Sequence, residues 1–335
     1  MDLSRREFLS LGALGVMAWA GRIGDSGFAM TGETVKTRVA LIKTRDRKEG
    51  VKRAIKALGV NPVKGKKIVL KPNFNSSDPF PGSTHNDTLA VLVESLQVMG
   101  AKSITMADRS GMGETRQVML EKGIFALGKR LGFETVVLDE LPQGQWVHHE
   151  LKGSHWRRGV YFPVLFEEAE AIVQTCCLKT HRFGGHITMS LKNTVGMVAK
   201  YSPRDGYDFM RELHSSPYQR LMIAEINQLY RPALILMDGL KAFVDGGPDR
   251  GKVMEPGVVV AGTDRVGVDA VGVAILKELG SNMDVMGRKV FEQEQISRAA
   301  ELGLGVKGPD GIEILTDGED SEKYAIKLRD ILQQA

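Results

Sequence analysis

Short β-branched runs alternating with stretches of helical period dominate the chain from Arg38 onward, and this alternation restricts the fold more than any other feature. Arg38-Val39-Ala40-Leu41-Ile42, Lys67-Ile68-Val69-Leu70, Ser103-Ile104-Thr105-Met106-Ala107 and Thr135-Val136-Val137-Leu138 are almost uninterrupted apolar runs of strand length. Runs of this kind suit strands covered on both faces, and the stretches 48–58 and 88–99 between them carry helical apolar spacing. Asn86 or Asp87 is placed to cap the second helix, and Gly100 to end it. The pattern returns with strands at 171–175, 233–237 and 258–261 and helices at 217–230 and 266–279. An α/β fold is expected, with a mainly parallel or mixed β-sheet flanked by helices in two closely joined lobes, about 36–141 and 165–300. The stretch 142–159 reads as an irregular hairpin between them, and 301–335 as a C-terminal strand and helix.

Composition narrows the function classes. Lysine and arginine number 45 against 41 acidic residues, a net charge of +4 spread along the chain, without the clustered cations and interleaved aromatics of a nucleic-acid binder. The two cysteines are adjacent, Cys176 and Cys177; they cannot supply the four thiolates of an iron–sulfur cluster, so no such cluster is expected within this chain. Buried reduced thiols are the expected state of the pair.

The N-terminus reads Ser4-Arg5-Arg6-Glu7-Phe8-Leu9 ahead of a moderately apolar run that ends near Ala20, with Gly27 and Ala29 as small residues at a cleavage point. Paired arginines in that order mark a twin-arginine signal peptide over 1–29, and the run is short for a membrane span. The expectations that follow are passage through the twin-arginine translocase, a periplasmic or otherwise extracytoplasmic location, and no stable membrane span after cleavage.

Ligands of open parallel sheets bind beyond the carboxyl ends of the strands. Polar residues gather at those positions here: Lys71 and Asn73 around Pro72, Asp108 and Ser110 in a glycine-containing loop, Lys179 and His181, then Lys192 and Asn193, and Asp238. Two chemistries fit. In the first, Lys71, Lys179 and Lys192 neutralise a small anion, Asn73, Asn193, Asp108 and Ser110 hold it, and His181 with Asp238 moves protons. In the second, His85, His181, His186 and Asp238 ligate a divalent metal, although His181 and His186 are one residue too far apart for one helix face. Asp264 is placed to cap a helix, while Asp269, inside that helix among apolar residues, needs a partner that a pocket lysine would provide.

These motifs occur in an order that resembles the "domain of unknown function 362" family: Lys71-Pro72-Asn73, Thr84-His85, Asp108 with Ser110-Gly111, Leu178-Lys179-Thr180-His181, Leu191-Lys192-Asn193, Asp238-Gly239, Gly247-Pro248 and Asp264 with Asp269-Ala270. The resemblance implies an α/β domain over 36–300 and a polar pocket built from the motif residues, and it implies no particular reaction. Relatives often add a cysteine-rich ferredoxin-like segment that this chain lacks. An exported enzyme acting on a small anionic compound is the leading expectation. The same pocket without turnover would make a ligand-binding or cofactor-delivery protein, and a chain read by a partner would be an accessory subunit of an exported complex.

Overall fold

A computed structural model describes residues 36–334; the twin-arginine segment lies outside the described residues. Twelve strands are present among them: β1 (Thr37–Lys43), β2 (Lys67–Lys71), β3 (Ser103–Asp108), β4 (Glu134–Val137), β5 (Trp146–His149), β6 (Val160–Pro163), β7 (Ala171–His181), β8 (His186–Thr188), β9 (Leu234–Gly246), β10 (Gly251–Met254), β11 (Val258–Gly262) and β12 (Ile312–Leu315). Ten of them form one mixed sheet in the order β12-β1-β11-β9-β7-β2-β3-β4, with β8 paired to β7 and β10 to β9. The pairs β2–β3, β2–β7, β3–β4, β7–β9 and β1–β12 are parallel, and β11 is antiparallel to both its neighbours. Residues on both sides of the 142–159 stretch, read as two lobes, therefore share a single sheet. That stretch contributes β5, which pairs with β6 as a separate two-stranded hairpin.

Helices cover both faces. The helix Arg47–Leu58 starts at Asp46, whose carboxylate accepts the Glu49 amide, and stops at Gly59, whose φ of 68° ends it with no Cβ penalty. Val51, Ala54 and Leu58 lie on its buried side against Leu89, Leu92 and Leu96 of the helix Asn86–Val98 and against Ile68 and Leu70 of β2. The opposite face packs the helices Arg265–Glu278 and Glu319–Gln333 over β1, β9 and β11, and Phe209, Met222 and Ile223 over β2 and β7. Each fully buried branched aliphatic side chain contributes roughly 1.5–3 kcal/mol.

Three elements differ from expectation. His85 rather than Asn86 or Asp87 caps the second helix, accepting the Asp87 amide at Nδ1. The helix expected over 217–230 is α-helical only from Gln219 to Glu225 and then tightens to a 3-10 turn, Ile226–Leu229. Its buried Asn227 donates from Nδ2 to the Ile223 carbonyl and so competes with the backbone ladder. β7 and β9 run six and nine residues beyond their expected ends, because they stay paired past a register shift at Cys177/Leu178 and each gains a hairpin partner. Lys179, Thr180 and His181 are thus strand residues.

Candidate functional site

β2 is flanked by β3, the next strand in the chain, and on its other side by β7, which the chain reaches only after β3, β4 and the hairpin. Connections diverge there, leaving a crevice beyond the strand ends, and a cavity of about 100 Å³ lies at that place. Lys71 and Asn73 at and just past the end of β2, Asp108 and Arg109 at and just past the end of β3, His181 at the end of β7, Lys192, Asn193 and His214 line it, with Phe183 and Met112 partly exposed at its rim. A wider open depression of about 580 Å³ between His155, Arg157, Arg211 and Tyr218 has no buried unpartnered side-chain atom in its lining. The smaller cavity does, which makes it the candidate site.

One wall of the cavity is a closed polar network. The Lys71 amine contacts Asp108 Oδ1 at 2.6 Å and donates to the Pro72 carbonyl at 2.6 Å and to Asn193 Oδ1 at 2.9 Å, which uses all three of its protons. Asp108 also accepts the Phe74 and Arg109 amides, both at 2.7 Å. Burial pulls the lysine down and pushes the carboxyl up, and each partner opposes the other's shift. Gly196 is required beside it, because a Cβ there would lie 2.9 Å from Lys71 Nζ and 3.0 Å from Asp108 Oδ1. Arg109 donates from Nε to the Val198 carbonyl at 2.9 Å and from a terminal nitrogen to the Val195 carbonyl.

The remaining lining groups are open. Lys192 is half-buried and its amine has no hydrogen-bond acceptor among the described residues. Burial, then the charges of Lys179 and Arg109, pull it down to about 7. His181 Nδ1 accepts the Gly185 amide at 3.3 Å, so the neutral ring carries its proton on Nε2; burial, then Lys192 and Lys179, hold it well below the ordinary histidine value. His214 is the mirror case: Nδ1–H donates to the Met210 carbonyl at 2.7 Å, leaving a lone pair on Nε2, and desolvation lowers it. Asn73 Oδ1, Asn75 Nδ2 and Thr188 Oγ1 are buried in the lining without partners. The cavity thus offers a titratable amine, a fixed ring donor, a fixed ring acceptor and unsatisfied amide groups, a set that suits a small anion with a polar substituent.

Sequence reasoning named Lys71, Asn73, Asp108, His181, Lys192 and Asn193, and the fold brings all six to this cavity. The expected work is divided differently. Lys71, Asp108 and Asn193 bind one another, so they position the wall, and Asn193 Nδ2 also donates to the Thr175 carbonyl at 3.3 Å. Ser110 is buried away from the lining, donating to the Asn75 carbonyl at 2.8 Å. Lys179 is buried outside the lining and donates to the carbonyls of Gly82 and Pro248. Asp238 lies apart too, its carboxylate accepting Arg47 Nε at 2.8 Å, the Thr88 hydroxyl and the Leu240 amide. His214, Arg109, Asn75 and Thr188 were not assigned a role, and no motif pointed to His214 in the short helix Phe209–Ser215.

The four residues read as metal ligands do not converge. His85 caps a helix, Asp238 is saturated, and His186 faces Arg288 at 3.3 Å and Asp284 at 3.7 Å. Among the described residues no group of three or more His, Cys, Asp or Glu side chains is arranged to hold a metal ion. Asp264 caps its helix through the Val266 and Gly267 amides, as expected. Asp269 takes the Ser190 and Leu191 amides at 2.8 Å in place of a lysine, and burial raises it to about 7. Cys176 and Cys177 are free and buried. No described helix is long and apolar enough to cross a membrane.

The sequence model described as "Domain of unknown function (DUF362)" matches residues 68–274, more than half of the chain. No curated protein matches. Among solved structures, the lactate racemase apoprotein from Thermoanaerobacterium thermosaccharolyticum is similar at 18% identity and a TM-score of 0.42, over 61% of this chain and 50% of that one. The chain spans about half the length of that protein.

Proposed function

The chain belongs to the family described as domain of unknown function (DUF362), and on that footing we propose that it is an exported enzyme acting on a small anion held in the cavity beyond β2, β3 and β7. The observation that carries this reading is the Lys192 amine, which faces the cavity with no acceptor while three buried amide and hydroxyl atoms around it also lack partners. Buried polar atoms are rarely left unpaired, so an orphaned set in one cavity calls for a guest that pairs with it. The guest is small, since about 100 Å³ is less than the roughly 150 Å³ that holds a benzene ring.

Turnover is favoured over storage by the opposed histidines. His181 presents Nε2–H as a hydrogen-bond donor and His214 an Nε2 lone pair as a base, and burial lowers both rings from the ordinary histidine value.

The test combines mass spectrometry of small molecules that co-purify with the protein after native export and thermal melts in acetate, pyruvate and inorganic phosphate. At least one anion is expected to raise the Tm of the wild type and not that of Lys192→Met. No co-purified anion and no shift from any of the three would overturn the reading.

A further inference from the structure

Lys192 lines the cavity beside other cations, and its side chain is held against the Gly184-Gly185 turn. Its Cε lies so close to Gly185 that a Cβ there would sit 3.1 Å from it, and the same Cβ would be 2.9 Å from His181 Nδ1. The end of the Lys192 side chain and the imidazole are therefore packed side by side against one glycine. The turn that carries it, Ser190–Asn193, is pinned at both ends, by the two amide bonds to Asp269 and by the Asn193 bond to Lys71. A fixed, partly dry amine beside other cations is the setting in which lysine acts as a nucleophile toward carbonyl carbon.

The surrounding polar atoms fit the rest of such a substrate. His181 Nε2–H and Asn75 Nδ2–H are donors for a carboxylate, and Asn73 Oδ1 is an acceptor for a hydroxyl that forms during attack. Resting on the reading of this cavity as a small-anion site, we propose that its substrate is a short carboxylate carrying an aldehyde or ketone carbonyl, captured as an imine by Lys192. In the step, the Lys192 ammonium gives a proton to His214 Nε2 and the amine lone pair forms a bond to the carbonyl carbon. The carbonyl oxygen becomes a hydroxyl, takes protons from the nitrogen and from His214, and leaves as water. Ammonium and carbonyl become iminium and water, so net charge is conserved and no oxidant or reductant is consumed.

The experiment is borohydride trapping on the whole exported protein with pyruvate and with glyoxylate, followed by peptide mass mapping, alongside thermal melts in the same two anions. A reduced adduct on Lys192 is expected, saturable, suppressed by acetate and lost completely in Lys192→Arg. A Tm rise with either anion but no adduct on Lys192 overturns the imine and leaves the anion site standing. An adduct that falls equally on surface lysines, or on Lys71 or Lys179, also overturns it. No Tm rise and no adduct removes the anion reading and this inference together.

Discussion

Lys192 is held in the fold at the expense of stability. Its folded value of about 7 lies below the 10.5 of a free lysine, so between those pH values the unfolded chain binds the extra proton. Stability from this group therefore rises as pH increases from about 7 toward 10.5, and below 7 the buried charge costs most. Replacing Lys192 with Met is expected to stabilise the protein by about 1–3 kcal/mol at pH 6, read as a higher midpoint in denaturant, while abolishing the anion-induced Tm shift. The same titration governs binding: an anion prefers the ammonium, so its affinity, measured by calorimetry from pH 6 to 9, should fall about tenfold per unit above pH 7. Lys71 behaves oppositely. Lys71→Met leaves Asp108 charged, buried and short of its main partner, and should cost about 3–5 kcal/mol, with much of the loss recovered when Asp108→Leu is added. Both lysines were legible as site residues from their motifs; which one is saturated and which is open was not, because that depends on Asn193 and Asp108 arriving from distant parts of the chain.

At the scale of elements, the turn Ser190–Asn193 is the part that connects core to cavity. Asp269 sits in the middle of a wholly buried helix and spends both oxygens on the first two amides of that turn. Asp269→Ala is expected to cost about 2–4 kcal/mol in chemical unfolding and to weaken anion binding at least several-fold, since Lys192 loses its support. Strand and helix cores were read correctly from apolar period alone: β1, β2, β3 and β11 match expectation to within about two residues, as do the helices Arg47–Leu58 and Arg265–Glu278. The outer halves of β7 and β9 escaped that reading. Lys-Thr-His has the polarity of a loop, and it becomes strand only because β8, β9 and the loop carbonyls of Gly82 and Pro248 satisfy it. Caps are equally local contests, and His85 wins over its two neighbours by one residue of register.

For the whole molecule, one sheet joins both halves of the sequence, so the site cannot assemble from either half alone: Lys71 and Asp108 come from the first half, and His181, Lys192 and His214 from the second. We propose that this unit is exported already folded. Changing Arg5→Lys together with Arg6→Lys is expected to leave the full-length protein in the cytoplasm by cell fractionation and intact-mass measurement, while wild type appears outside it shortened near Ala29. Equal export of both forms would remove the twin-arginine route.

Periodicity and turn chemistry were enough to establish from the chain alone an α/β unit, most element positions and the list of polar residues that crowd the strand ends, while the resemblance to the family rested on the order of its motifs. Those signals act over a few residues and need no partner. Which of the polar residues share a cavity, which neutralise one another and which are left open was decided only by strand order. β7 lies beside β2 rather than beside β4, bringing Lys192 and His181 to the crevice; Asp238, one strand further along, is bound instead to Arg47 and Thr88 on the covered face. Pairing energy in a dry interior depends on distances of a few ångströms between residues a hundred positions apart, and no local pattern encodes such distances.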